Sequence, residues 1–129
     1  MCGQVDELGA TRSSIFAVYG PPCLEDDLNL WYCPSEDRIG FGFKNGVVSV
    51  VTLMYAQTSS YAAQQALDSR LRQLRSSFGK EDRYNSNMNT YSWYFDDSSW
   101  GISTFKINGI EYNTQTVTSE VLTKDEWDK

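Results

Sequence analysis

The sequence predicts an α+β domain made of two tandem units, each a helix followed by three antiparallel strands. Three observations lead to this prediction: two helical patterns, strand-like segments after each of them, and two Asn-Gly turns at corresponding places. The hydrophobic period separates helices from strands. With 129 residues, of which 40% are hydrophobic, the chain is long enough to bury one core.

The first unit is predicted over residues 8–55. Thr11 can cap a short helix, and Gly20 with the prolines after it ends that helix. Residues 25–27 are predicted to be loop. Strands are predicted over residues 28–33, 39–44 and 47–54. Asn45-Gly46 separates the last two, and this dipeptide is typical of the type I′ hairpin turn, in which both positions need positive φ.

The second unit is predicted over residues 59–118 in the same order. Ser59 or Ser60 can cap a longer helix whose apolar residues recur at helical spacing, and Gly79 ends it. Residues 82–88 are predicted to be polar loop. Strands are predicted over residues 90–95, 100–106 and 110–117, with Asn108-Gly109 as the second hairpin turn. We expect the tail, residues 119–129, to be loose.

Five features recur in the same order in both units, which is the pattern of an internal duplication. They are Gly20 with Gly79, Trp31-Tyr32 with Trp93-Tyr94, Gly40 near Gly101, Phe43-Lys44 with Phe105-Lys106, and Asn45-Gly46 with Asn108-Gly109. Each unit alone is too small to bury enough apolar surface for a stable core. We therefore expect residues 1–129 to form a single domain, in which the units share one sheet or stack their sheets.

The composition argues against several classes of function. The formal net charge is −6, whereas nucleic acids and anionic membranes attract surfaces rich in Lys and Arg. The chain has no histidine, which removes His-based catalysis and His-ligated metals. No apolar run approaches the roughly 20 residues that span a bilayer. We expect no enzyme, cofactor, metal site or transmembrane segment.

The three cysteines leave the compartment open. Cys23 and Cys33 could form a disulfide in an oxidising compartment if their Cα atoms come within about 7 Å, or could remain thiols. The N-terminus as written has no signal peptide, which predicts a cytoplasmic protein. If the chain were instead a trimmed bacterial lipoprotein, Cys2 would bear a lipid anchor, and the protein would lie in the periplasm or cell envelope.

Aromatic residues on the predicted strands are the candidate binding site. The candidate residues are Trp31, Tyr32, Tyr91, Trp93, Tyr94, Trp100 and Tyr112. Successive strand residues alternate between faces, so Trp93 and Tyr94 must lie on opposite faces, and only one of them can be outward. Exposed Trp and Tyr on a rigid sheet are typical of protein interfaces. The alternative is that one face is core and the second unit covers the other.

Acidic residues in two predicted loops form a second candidate. Asp26, Asp27, Asp96 and Asp97 lie at corresponding ends of the two units. They could contact basic residues of a partner, which the net negative charge would attract. The alternative interpretation is that they are solvated turn residues.

The first unit also contains a pattern that resembles a known fold family. It consists of Gly-x-Thr at residues 9–11, apolar residues at helical spacing, Gly20 followed by proline, and Phe-x-x-Gly-Val-Val at residues 43–48. The pattern is similar to the fold shared by β-lactamase inhibitory protein and the small lipoproteins of the bacterial outer-membrane barrel-assembly machinery. The tandem order is more similar to the inhibitor. The resemblance implies a bacterial, non-catalytic binding protein, and it carries no target or binding residue over to this chain.

The sequence therefore predicts a protein-binding module, an inhibitor or an assembly accessory, that acts through an aromatic face of the sheet. A carrier of a small molecule or lipid, with an aromatic-lined cavity between helices and sheet, is the alternative. A hydrolase that uses paired carboxylates is a third hypothesis, and it requires two buried carboxylates about 5 to 9 Å apart.

Overall fold

A computed structural model describes residues 7–96 and 98–119 of the chain. The helices are α1 (Arg12–Tyr19) and α2 (Ser60–Phe78). The strands are β1 (Leu24–Glu25), β2 (Asn29–Tyr32), β3 (Arg38–Lys44), β4 (Val47–Gln57), β5 (Arg83–Asn85), β6 (Thr90–Tyr94), β7 (Ser99–Ile107) and β8 (Ile110–Thr118). The predictions for Cys2, Asp97 and residues 120–129 of the tail lie outside the described residues.

The strands form one eight-stranded antiparallel sheet in the order β1-β2-β3-β4-β8-β7-β6-β5. The chain is thus an α+β fold, as the sequence predicts, and each half places one helix before its strands. The predicted number of three strands per unit is wrong, because β1 and β5 form where loops were expected. These two strands have two and three residues and lie at the edges of the sheet. Such short strands show no alternating pattern in the sequence, and only pairing with a neighbour defines them.

The local signals at the ends of the elements are confirmed. The hydroxyl of Thr11 accepts a hydrogen bond from the Ser14 amide, and that of Ser59 accepts one from the Ala62 amide. Gly20 and Gly79 follow the two helices with φ of 78° and 84°. Both Asn-Gly turns also have positive φ at each position, as a type I′ turn requires.

Both helices pack on the same face of the sheet, which we call the helix face. A row of directly paired residues crosses this face: Leu30, Phe41, Val51, Val117, Trp100 and Trp93. Paired residues of antiparallel strands share a face. Tyr19 of α1 contacts Phe41 at one side of the row, and Phe78 of α2 contacts Trp100 at the other. The core therefore lies between the helices and this face.

The opposite face, which we call the open face, carries no helix in the described ranges. The neighbouring row of paired residues crosses it: Trp31, Gly40, Thr52, Thr116, Gly101 and Ser92. The row is nearly symmetric about the central Thr52–Thr116 pair, because each threonine is followed by a glycine on its outer side. It places Ser92, and not Trp93, at the position that corresponds to Trp31.

This register corrects the match of Trp31-Tyr32 with Trp93-Tyr94. Trp31 pairs with Gly40, whereas Gly101 pairs with Ser92. If Gly40 and Gly101 correspond, the structural counterpart of Tyr32 is Trp93. The alignment of the two sequences, which matched Tyr32 with Tyr94, is therefore shifted by one residue. The internal duplication itself remains a prediction. Neither helix of the described ranges is both long and apolar enough to cross a membrane.

Candidate functional site

The sheet divides the seven candidate aromatics between its two faces. Tyr32, Tyr91, Trp93 and Trp100 lie on the helix face, and Trp31, Tyr94 and Tyr112 lie on the open face. Alternation predicts this division for neighbours such as Trp93 and Tyr94, but it does not say which one faces the helices. The seven residues therefore do not form a single cluster.

Tyr32 and Trp93 belong to the core. Their exposed fractions are 7% and 1%. The Tyr32 hydroxyl donates a hydrogen bond to the Gly20 carbonyl oxygen at 2.9 Å, and the Trp93 indole Nε1 donates one to the Gly79 carbonyl oxygen at 3.0 Å. A partner could not contact these rings without unfolding the domain, so we remove both from the candidate site.

The other two helix-face aromatics lie beside α2 and are half-buried. The Trp100 ring lies edge-on to Phe78, with centroids 5.3 Å apart. Tyr91 contacts the Tyr84 ring at 4.5 Å, and the guanidinium of Arg75 lies 5.8 Å from the Tyr91 centroid. Burial raises the pKa of the Tyr91 hydroxyl. These contacts complete the packing of α2 and give no separate binding surface.

Trp31 lies on the open face and covers Gly40 of the next strand. A Cβ atom built on Gly40 would lie 2.5 to 2.8 Å from three atoms of the Trp31 benzo ring. Real Cβ atoms do not approach other atoms so closely, so only glycine accepts the indole in this position. Trp31 is half-buried as a result, and its outer ring face is turned away from the sheet.

The remaining two open-face aromatics differ in accessibility. Tyr112 is 4% exposed, contacts the Phe105 ring at 6.2 Å between centroids, and donates a hydrogen bond to the Glu36 carbonyl oxygen at 3.4 Å. Because the Tyr112 side chain is buried on this face, it is not accessible to a partner. Tyr94, near the end of β6, is half-buried, and its backbone amide donates to Asp82 at 2.7 Å.

An open groove of about 730 Å³ lies on the open face over the centre of the sheet and β7. Its floor includes Thr52, Thr116 and Gly101, and its walls include Met88 and Phe105. Met88 is 67% exposed and Phe105 is 39% exposed. None of the residues that line the groove is charged.

Sequence reasoning missed this groove. A signal for its floor existed: Thr114 and Thr116, which both line the groove, are two residues apart in β8 and therefore share one face. The walls had no such signal, because Met88 lies in a segment predicted to be polar loop. Only the pairing of β5 with β6 brings the turn that carries Met88 to the end of the groove.

A smaller cavity of about 190 Å³ lies between α2 and the helix face. Tyr55, Arg70, Asn113 and Gln115 line it, and Arg70 Nε donates to Gln115 Oε1 at 2.9 Å. Asn113 Nδ2 donates to the Ala63 carbonyl oxygen at 2.7 Å, while its Oδ1 is buried without a hydrogen-bond partner among the described residues. Burial raises the pKa of the Tyr55 hydroxyl. Ala66, Leu67 and Ile102 also line the cavity, so most of its surface is apolar, and its volume would admit a few water molecules.

The acidic candidates do not come together. Asp26 and Asp27 lie in the β1–β2 turn and Asp96 in the β6–β7 turn, so β3, β4 and β8 separate them. The Leu28 amide donates to Asp26 at 2.8 Å and lowers the pKa of that carboxyl. This is local turn chemistry. The described residues contain no group of three or more carboxylates or cysteines that could hold a metal.

Cys23 and Cys33 are joined by a disulfide, with Cα atoms 6.0 Å apart. The distance that the sequence prediction requires is thus met. Cys23 precedes β1 and Cys33 follows β2, so the bridge closes the open end of this edge hairpin. The Cys23 amide also donates to the Trp31 carbonyl oxygen at 2.9 Å. The disulfide therefore fixes the hairpin that carries Trp31.

Comparison with known proteins adds information on the fold. No protein-family model matches the chain, and no curated protein matches it. Among solved structures, it is similar to the crystal structure of YjgB from Bacillus subtilis, a DUF4309 family protein. The TM-score is 0.53 at 13% sequence identity, over 86% of this chain and 79% of YjgB. The likeness is one of fold. The resemblance to the inhibitor and lipoprotein families stays a prediction.

Proposed function

We propose that this chain is a non-catalytic protein-binding module whose partner docks on the open face of the sheet. The observation that carries the proposal is the uncharged groove on this face, with its exposed walls at Met88 and Phe105. Exposed apolar side chains that border a concave surface are a common feature of docking sites.

The composition of the open face supports a protein partner. The centres of protein interfaces are depleted in charge and enriched in aromatic residues and methionine. The groove combines an uncharged lining with Met88 and Phe105, and the half-buried Trp31 lies on the same face. The net charge of −6 adds long-range attraction for a basic partner, which affects the association rate more than the affinity.

Neither alternative function gains comparable support. The predicted carrier needs a ligand cavity of about 300 Å³ or more between the helices and the sheet, whereas the cavity between α2 and the sheet has about 190 Å³. A hydrolase needs two buried carboxylates near each other. Glu81, whose side chain is 6% exposed, instead forms two hydrogen bonds with Arg75, at 2.8 and 2.9 Å.

A site-specific cross-linking experiment tests the proposal. Phe105, on the groove wall, is replaced by the photoreactive amino acid benzoylphenylalanine. Tyr61, which is 73% exposed on α2, receives the same replacement as the matched control. Both positions carry an exposed aromatic, so the two variants differ chiefly in the face they probe. Illumination in extract of the producing organism should give a protein adduct from position 105 and not from position 61.

The cross-linked protein is then purified, and its affinity is measured directly. We expect Trp31→Ala to weaken its binding by roughly 2 kcal/mol, as an aromatic anchor would. Adducts from position 61 alone, or none from either position, would overturn the proposal. An unchanged affinity of Trp31→Ala would remove Trp31 from the interface but would leave the groove as the docking site.

A further inference from the structure

We infer that the groove at Gly101 receives an aromatic side chain, tryptophan above all, from the partner protein. This inference rests on the proposed function and specifies what the partner must present. The evidence comes from the row of paired residues on the open face, in which the ring of Trp31 covers one of the two glycines.

The two halves of that row have the same order of threonine and glycine and differ only in the outermost residue. On one side of the Thr52–Thr116 pair, Gly40 is followed by Trp31. On the other side, Gly101 is followed by Ser92. A large ring therefore stands beside one glycine and a hydroxymethyl group beside the other.

The space above the two glycines differs accordingly. A Cβ on Gly40 would collide with the Trp31 indole, at 2.5 to 2.8 Å. A Cβ on Gly101 would meet only Ser92 Oγ and the Tyr91 carbonyl oxygen at 3.8 Å and a Thr90 methyl carbon at 3.9 Å, which are ordinary contacts. No side chain of this protein takes over Gly101 the place that the indole takes over Gly40, and Gly101, although its backbone is buried, lines the groove.

The groove suits an indole chemically. Met88 provides a thioether and Phe105 an aromatic ring, and both make favourable contacts with aromatic rings. The hydroxyl groups of Thr52 and Thr116 on the floor can accept the single N–H of an indole. The uncharged lining offers nothing to a charged side chain. An aromatic residue with one polar edge is the class of side chain that fits all three features.

The first test uses N-acetyl-tryptophanamide as the probe and the intact protein, observed by NMR. We expect saturable shifts of the Gly101 amide and of the Thr52, Thr116 and Met88 methyl groups. N-acetyl-leucinamide should bind at least tenfold more weakly. Gly101→Ala should weaken the tryptophan probe at least tenfold, because the added Cβ would stand where the ring must lie.

Gly42→Ala is the matched control. Gly42 lies on the same face in β3, outside the groove, and a Cβ there would be 3.5 Å from its nearest neighbour, a Val50 carbon. Both variants should therefore fold, which their NMR spectra report. Gly42→Ala should bind the probe within twofold of the wild type. Shifts centred elsewhere, or equal binding by the two variants, would overturn the inference.

The outcomes separate this inference from the proposed function. If a partner cross-links from position 105 but binds the Gly101→Ala variant with unchanged affinity, the groove does not receive an aromatic side chain. The protein-binding function would still stand. Probe binding at Gly101 without any cross-linked protein would overturn a protein partner. If the protein self-associates and either Trp31→Ala or Gly101→Ala abolishes the self-association, the occupant of the groove is Trp31 of a second copy of this chain. That result would overturn the inference that a different protein supplies the aromatic side chain.

Discussion

The indole Nε1 of Trp93 donates a hydrogen bond to the carbonyl oxygen of Gly79, the residue that ends α2, at 3.0 Å. Tyr32 makes the equivalent bond to Gly20, which ends α1, at 2.9 Å. Each helix C-terminus is thus tied to its strand by the polar atom of a core aromatic. The carbonyl groups at helix ends lack partners within the helix, so these bonds satisfy acceptors that would otherwise be unpaired.

Substitutions at these two positions should lower stability in proportion to what they remove. We expect Tyr32→Phe to reduce the free energy of unfolding by about 1 kcal/mol, the usual value of one hydrogen bond. Trp93→Ala should cost about 3–5 kcal/mol, because it also leaves a cavity. Urea unfolding measures both. Tyr61→Phe, at an exposed tyrosine, is the control and should be nearly neutral. A Trp93→Ala loss below 1 kcal/mol would contradict the core position.

The contact of Trp31 with Gly40 predicts a strongly non-additive pair. Gly40→Ala should destabilise the domain by about 1–3 kcal/mol, because the new Cβ collides with the indole. In a Trp31→Ala background the same change should be neutral or slightly stabilising, since alanine loses less chain entropy than glycine on folding. The coupling free energy from the double-mutant cycle measures the contact. Equal effects of Gly40→Ala in both backgrounds would show that Trp31 does not lie on Gly40.

The Cys23–Cys33 disulfide should stabilise the domain by about 2–4 kcal/mol, chiefly by limiting the freedom of the unfolded chain. We expect the Cys23→Ser/Cys33→Ser variant and the reduced protein to lose the same amount. A Cys2→Ser background prevents exchange with the third thiol. Mass spectrometry without reductant should find one bridge, between positions 23 and 33. Two free thiols in protein taken from an oxidising compartment would contradict this prediction.

The Arg75–Glu81 pair predicts a pH-dependent contribution to stability. Hydrogen bonds from Arg75 lower the pKa of the Glu81 carboxyl below its ordinary value of 4.5. A lowered folded-state pKa gives stability that is fully present above about pH 4.5 and is lost as the pH falls through the folded pKa. Glu81→Gln should therefore lower the thermal midpoint at pH 7 and differ little from the wild type in strong acid. Arg75→Gln should lose the same pH-dependent part. A difference that persists unchanged at low pH would exclude the ion pair as its cause.

The sequence alone determined the two helices, their caps and both Asn-Gly hairpins. These features depend on residues within a few positions of each other: the Ser59 hydroxyl reaches the Ala62 amide, and Asn45 and Gly46 fix their own turn. The apolar stripe of α2 likewise follows from a local period of 3.6 residues. Local interactions of this kind can be identified without knowledge of the partner strands.

The tertiary structure decided which aromatics are core and where a partner could bind. Trp31 and Trp93 look equivalent in the sequence, yet one covers Gly40 on the open face and the other is buried under α2. A shift of one residue in strand register exchanges the faces of a strand, and only pairing across the sheet fixes that register. The edge strands β1 and β5, the groove at Gly101 and its wall at Met88 depend on the same non-local pairing. For that reason the alternating threonines of β8 could indicate part of the groove floor, but no local pattern in the sequence could assemble the groove or predict the edge strands.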